Sequence, residues 1–236
     1  MKRLLIIILV ILSSNIQLTA QEKLPDILKK VNQRFYSFNT VSCEVSIRTY
    51  CETAKNKPLM AESYTVSKLN NVILGIGTGI INYTDAKISV SVNQELKKIV
   101  IAKAPKGGFL LDFDKNIDKI IKVCNSIKVE TKGNTNIYTL EVDKFGVDKL
   151  IVTVNTVDVK IEKILYYFDN QQSANSPSGS SCKKLMHEIY FNKYVKTIKE
   201  DTKKFTQSYY ITKDKKGKFI PSSYFKGYEI INYYSN

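Results

Sequence analysis

Tryptophan is absent from this chain of 236 residues, histidine occurs once, at His187, and arginine only as Arg3, Arg34 and Arg48. A Ser-His-Asp or Cys-His arrangement therefore has only His187 to build on, and that residue stands beside Glu188 in a strand-like stretch without a G-x-S-x-G elbow. No Cys-x-x-Cys pair occurs either, so a zinc site lacks its usual ligands, and neither a metal nor a cofactor is expected. Asp112-Phe-Asp114-Lys-Asn116-Ile-Asp118 opens like a calcium loop. Its sixth position is Ile117 where the turn needs Gly, and its twelfth is Val123 where a bidentate Glu is required, so helix capping is the simpler account. Gly75-Ile-Gly77-Thr-Gly79 is followed by strand, which points to a bulge or a close backbone approach and not to a phosphate loop. Catalysis retains one route, a pair of carboxylates brought together in space as in a glycosidase, and no residue pattern favours it. The chain is not expected to be an enzyme.

Five prolines and ten glycines are too few for a disordered or collagen-like chain, and one folded domain is the natural expectation. The formal charge is +14, carried almost wholly by lysines scattered through every segment. Nucleic-acid sites concentrate charge and favour the Arg fork, so no nucleic-acid partner is expected. A solvated lysine surface explains the charge, with attraction to anionic lipid or an acidic partner as the other reading.

Lys2 and Arg3 precede the apolar run Leu4 to Leu12, and a polar stretch ends in Leu18-Thr19-Ala20. This is the pattern of a signal peptide over residues 1–20. The run is about half the roughly 20 apolar residues that a bilayer span needs, so a retained membrane helix is the weaker reading. Gln21, the expected first mature residue, is not Cys, so no lipid anchor is offered there. Export to the periplasm or beyond follows. Cys43, Cys51, Cys124 and Cys182 would then meet oxidising conditions. Cys43 and Cys51 share one strand face about 26 Å apart and cannot pair within it. A bridge from Cys51 or Cys43 to Cys124 or Cys182, or buried free thiols, both remain open.

Leu24, Ile27, Leu28, Val31 and Phe35 recur at helical spacing with Lys29, Lys30, Asn32 and Gln33 between them, and Pro25 suits the first turn. After Phe38 the period changes to two, with Val41, Cys43, Val45 and Ile47 against Ser42, Glu44, Ser46 and Arg48. Strands are expected over 62–68, 72–76, 80–83, 86–92, 98–102, 137–142, 150–154, 159–168, 187–196, 208–212 and 228–234. Their short turns imply an antiparallel meander. Ile117, Ile120, Ile121, Cys124 and Ile127 predict a second helix over Asp114 to Val129, capped by Asp112 or Asp114. The Ser- and Asn-rich stretch near 169–182 reads as a flexible loop inside a single domain, residues 21–236.

Three stretches carry a resemblance: Leu28-Lys29-Lys30-Val31 through Ser37-Phe38 into Val45; Tyr83-Thr84-Asp85-Ala86-Lys87-Ile88 followed by Val92-Asn93-Gln94 and Lys98-Ile99-Val100; and the ending Tyr224-Phe225-Lys226-Gly227-Tyr228-Glu229-Ile230-Ile231. With the leader and the element order, the chain resembles the LolA-like family of periplasmic lipoprotein carriers. Lys68-Leu69 stands where that family commonly has Arg-Pro, whose Arg helps latch a lid, and a lysine cannot reproduce the guanidinium fork. The resemblance implies an α+β fold, a strongly curved antiparallel sheet (a half-barrel) whose concave face is covered by helices around an apolar cavity. Its implied wall comprises Val41, Val45, Ile47, Tyr64, Val66, Ile88, Val90, Val92, Tyr138, Leu140 and Val142, with Ile117, Ile121 and Cys124 from the lid. Ordinary core packing uses the same alternation. The implied function is a periplasmic carrier or binder of a lipidated protein or apolar ligand, acting as a monomer with an envelope membrane partner. The alternative is a structural or interaction protein of the envelope with a filled core.

Overall fold

The computed structural model describes residues 24–54, 56–104, 119–144, 146–169, 182 and 184–234. The expected leader, the Asp112–Asp118 stretch with Ile117, and most of the Ser-rich loop lie outside them. The fold is mostly antiparallel β-sheet with few helices. It divides into two compact units, each assembled from three stretches of chain. Unit 1 holds the described residues of 1–34, 47–61 and 114–190, and unit 2 those of 35–46, 62–113 and 191–236.

Helix α1 covers residues 24–37. Its buried stripe is Leu24, Leu28, Asn32 and Phe35, at spacings of four, four and three, so the polar Asn32 takes a place that helical geometry gives to the interior. Strand β1 (Thr40–Cys51) follows and begins in unit 2 and ends in unit 1.

Unit 2 continues with β2 (Met60–Leu69), β3 (Val72–Gly77), β4 (Ile80–Thr84), β5 (Ile88–Asn93) and β6 (Lys98–Lys103), hydrogen-bonded in sequence as antiparallel neighbours. Short turns make this order the natural one. In the β3–β4 turn Gly79 has φ +71°, a left-handed conformation that favours glycine. Gly77 serves a different need: a Cβ there would lie 2.5 Å from the Tyr64 ring, so Gly77 marks a close approach within an unbroken register and not a bulge.

Unit 1 contains α2, helical over the described residues 119–123, then β7 (Ser126–Lys132), β8 (Thr135–Lys144), β9 (Val147–Asn155), β10 (Lys160–Asp169) and the first half of β11 (Lys184–Val195). These too pair in order and antiparallel. The helix expected over Asp114 to Val129 ends at residue 123 and gives way to strand at Ser126, while its expected start lies outside the described residues. Ile127 and Val129 pair with Leu140 and Tyr138 of β8, which satisfies backbone groups that a helix would have paired internally. Short apolar runs fit either period, and the availability of a partner strand decided this one.

The C-terminal segment carries the largest departures. The strand expected over 208–212 begins with one helical turn, α3 (Gln207–Tyr210), before β12 (Ile211–Lys213) and β13 (Phe219–Pro221) form a hairpin. The adjacent tyrosines read as strand formers, but Tyr210 is fully buried, its hydroxyl donating to Lys204 O at 2.8 Å and its ring stacked on Phe225. Packing overrides propensity there. Strand β14 (Glu229–Asn232) pairs with β6 in parallel, a correction to the all-antiparallel meander. It returns after a long excursion, and only short connections force antiparallel pairing.

Candidate functional site

Strand register shows which expected wall residues meet. In unit 2, Val66 is paired in a row with Gly75, Asn82 and Ser91, whereas Val90 is paired with Tyr83, Leu74 and Ser67. Directly paired residues share a face and successive residues alternate, so Val66 and Val90 lie on opposite faces of the sheet. The Ser67 hydroxyl lies 3.0 Å from that of Ser42, which puts Ser42 with Val90 and puts Val41, Cys43 and Val45 with Val66 and Tyr64. Val41, Val45, Tyr64 and Val66 are brought to one face; Ile88, Val90 and Val92 are brought to the other.

The second of these faces is covered. Ile88, Val90 and Val92 join Leu74, Ile81, Tyr83, Ile99 and Ile101 in a core closed by Phe205, Tyr210, Ile211, Phe219 and Phe225. Ser67 donates to Glu200 Oε2 at 2.8 Å and so pins the start of that covering segment. Beside it lies an open groove of about 300 Å³ lined by Glu44, Ser46, Ser63, Thr65, Thr78 and neighbours. Hydroxyls and a carboxylate dominate it, so an acyl chain would gain little there.

On the opposite face Lys68, only 3% exposed, donates its Nζ to the carbonyls of Tyr36 (3.4 Å) and Phe38 at the C-terminal end of α1. Helix C-termini present unpaired carbonyls and a negative dipole end, and a lysine satisfies both. Burial holds its ammonium below the usual lysine range. Lys68 thus ties down a helix end through point-charge hydrogen bonds.

Unit 1 presents one unbroken apolar face. Tyr138, Leu140 and Val142 alternate along β8, and their row partners include Ile127, Leu150, Val152 and Ile164, all buried. Tyr166 and His187 extend this face, paired with one another. Burial pushes the Tyr166 phenol up to about 12 and holds His187 below its usual value, and the His187 ring meets Phe168 edge-on at 4.9 Å. Both shifts mark a low-dielectric interior that favours neutral forms. Ile121 is buried in α2, while Cys124 just beyond it is half-buried, its thiol donating to Ile121 O at 3.1 Å. Ile47 is half-buried near the end of β1.

Among the described residues of this unit, two buried side-chain polar atoms have no hydrogen-bond partner: Asn32 Nδ2 and Thr49 Oγ1, in residues 8% and 7% exposed. Neither is among the expected wall residues. The signal for Asn32 was its spacing, four after Leu28 and three before Phe35, which outranks its polarity; Thr49 offered none, because the alternation of β1 lapses at Ile47 and Arg48. On the other face of the unit, Glu188 meets Lys163 at 2.5 Å and accepts from Tyr190 OH at 2.8 Å. Burial pushes the Glu188 carboxyl up, but these bonds outweigh it and leave the group below its usual range. Cys51 and Cys182 form a disulfide with Cα atoms 5.7 Å apart, Cys43 is a buried free thiol and Cys124 is free. Among the described residues no cluster suited to a metal ion occurs.

No protein-family model and no curated protein sequence matches this chain. Solved structures do resemble it. An uncharacterized conserved protein from Thermus thermophilus aligns over 88% of this chain and 97% of its own, at 8% identity and TM-score 0.49. A LolA superfamily protein from Nitrosomonas europaea aligns over 78% and 97%, at 13% identity and TM-score 0.36. A putative outer membrane lipoprotein-sorting protein domain from Vibrio parahaemolyticus does so over 79% and 97%, at 12% identity and TM-score 0.37. The solved structures similar to this chain thus include LolA-superfamily and lipoprotein-sorting proteins.

Proposed function

We propose that the protein is a non-enzymatic, exported binder or carrier of an apolar or lipidated ligand, held against the apolar face of unit 1. The observation that carries this reading is the pair of buried polar atoms, Asn32 Nδ2 and Thr49 Oγ1, which lack a partner among the described residues, in a unit whose sheet carries the buried apolar row through Leu140, Leu150 and Val152. A buried polar group left unpaired costs about 1–3 kcal/mol, so each stands to gain from an entering partner. An acylated ligand supplies both halves of the match. Its chain leaves water at about 0.8 kcal/mol per CH₂, and its ester or amide carbonyl accepts from the Asn32 amide. In this reading the sheet is the wall of a half-barrel, α1 and α2 are the lid, and their displacement releases the ligand to an envelope acceptor. The Cys51–Cys182 disulfide supports export, since such bridges persist in oxidising compartments. A monomer free in the periplasm or medium fits a carrier's task.

A second reading has its own support. The filled core of unit 2 favours an interaction protein of the envelope that uses this fold without a ligand. Native mass spectrometry of the purified protein, with titration of a fluorescent fatty-acyl probe, separates the two. Co-purified lipid and saturable binding that weakens about ten-fold in Asn32→Leu are expected of the carrier. An empty protein that ignores the probe belongs to the second reading.

A further inference from the structure

Four lysines fall within six residues at the end of one hairpin: Lys213, Lys215, Lys216 and Lys218, all exposed. The turn that gathers them is tightly made. Asp214 N donates to Lys218 O and Gly217 N to Asp214 O, both at 3.0 Å, and Gly217 adopts φ +79°. The one acidic residue in the turn does not offset the cluster by pairing with a lysine side chain. Asp214 Oδ1 instead accepts the backbone N–H groups of Lys216 (2.8 Å) and Lys218 (2.9 Å). Among the described residues none of the four lysines takes part in an ion pair, whereas lysines elsewhere, such as Lys98, Lys160 and Lys193, do. Lys213 extends its ammonium over the Phe219 ring, 5.1 Å from the centroid. Like charges are therefore held together by backbone geometry, at a cost in mutual repulsion that an anionic partner would remove.

Apolar groups accompany them. Ile220, on the return strand, is 39% exposed, and Tyr224 is 60% exposed with its ring stacked on Tyr209 at 4.4 Å. Ser222 ties this stack to the hairpin, its N–H donating to Tyr210 O at 3.0 Å and its hydroxyl to Tyr209 O. Lysine point charges on long stems, beside exposed tyrosine and isoleucine, suit a layer of anionic headgroups over hydrocarbon. A protein carboxylate or nucleic-acid partner would be matched better by arginine forks, and this segment has no arginine.

We infer that the β12–β13 hairpin of unit 2 is a docking surface for an anionic lipid bilayer. The inference is independent of whether unit 1 holds a ligand. Its test is flotation of the full chain with vesicles of phosphatidylglycerol and phosphatidylcholine against vesicles of phosphatidylcholine alone, so that binding common to both compositions cancels. An anionic-over-neutral preference of about ten-fold is expected, falling several-fold in roughly 0.5 M salt. The quadruple variant Lys213→Glu, Lys215→Glu, Lys216→Glu, Lys218→Glu should abolish the preference. A charge-matched control, Lys57→Glu, Lys87→Glu, Lys122→Glu and Lys128→Glu, should keep most of it, and Tyr224→Ser should weaken it. Absence of any preference, as an acidic protein partner would give, overturns the inference. So does an equal loss in the hairpin variant and the control.

Discussion

At the scale of single residues, the buried polar groups divide into those with partners and those without. Glu188 is nearly buried but held by Lys163 and Tyr190, so it is ionised at neutral pH. Lys163→Met removes the charged partner and leaves the buried carboxylate with the Tyr190 hydroxyl, and a loss of about 1–2 kcal/mol by urea denaturation is expected. Asn32→Leu should act in the opposite sense. It deletes an unpaired donor and improves helix propensity, so stability should rise by about 1 kcal/mol in the ligand-free protein. His187 gives a pH dependence whose sign follows from its depressed folded pKa. The unfolded chain protonates first, near pH 6.5, so stability falls as the pH drops from about 7 through the folded value, and thermal melts of His187→Gln should lose that part of the slope. A His187→Gln variant with the wild-type slope would refute the assignment. The residue scale is also where sequence reading is weakest. Asn32 looked like a wet-side residue because polarity was weighed above spacing, and the opposition of Val66 and Val90 depends on pairings that no single strand reveals.

At the scale of elements, most strands were legible, because alternation survives wherever one face is buried and the other wet. β3 to β6 and β8 to β10 lie within a few residues of their expected bounds. β7 and α3 were not, for one reason: Ile127 and the Tyr209-Tyr210 pair satisfy helix and strand patterns alike, and only the neighbouring β8 or the Tyr210–Phe225 stack chooses. Lys68 shows an element boundary fixed from afar, 30 residues along the chain from Phe38. Lys68→Met should free the last turn of α1, with backbone amide exchange over residues 35–38 accelerated about ten-fold or more and a stability loss of about 2 kcal/mol. Unchanged exchange there would mean that the carbonyls find water instead.

At the scale of the whole molecule, the disulfide joins residues 131 apart in sequence, both in unit 1. Closing a loop of that length removes roughly 5 kcal/mol of unfolded-chain freedom in the entropy model, and measured losses are commonly smaller. The double variant Cys51→Ser, Cys182→Ser is therefore expected to lose about 2–5 kcal/mol, read from the denaturation midpoint at constant slope. Cys43, buried and with its thiol pushed up to about 12, should stay unreactive to thiol reagents until the protein unfolds.

What the sequence determined by itself is what local periodicity and composition encode. Those are the strands with one wet face, helix α1, and a set of four cysteines in which a bridge was open. The tertiary structure alone decided the rest: which two cysteines bond, that β14 runs parallel to β6, that Lys68 closes a helix end, and that the C-terminal aromatics fill the face carrying Val90 and Val92. Each of these joins residues far apart in the chain. Sequence period fixes which side of its own strand a residue occupies, but the identity of what covers that side depends on the register and packing of segments that meet only after folding.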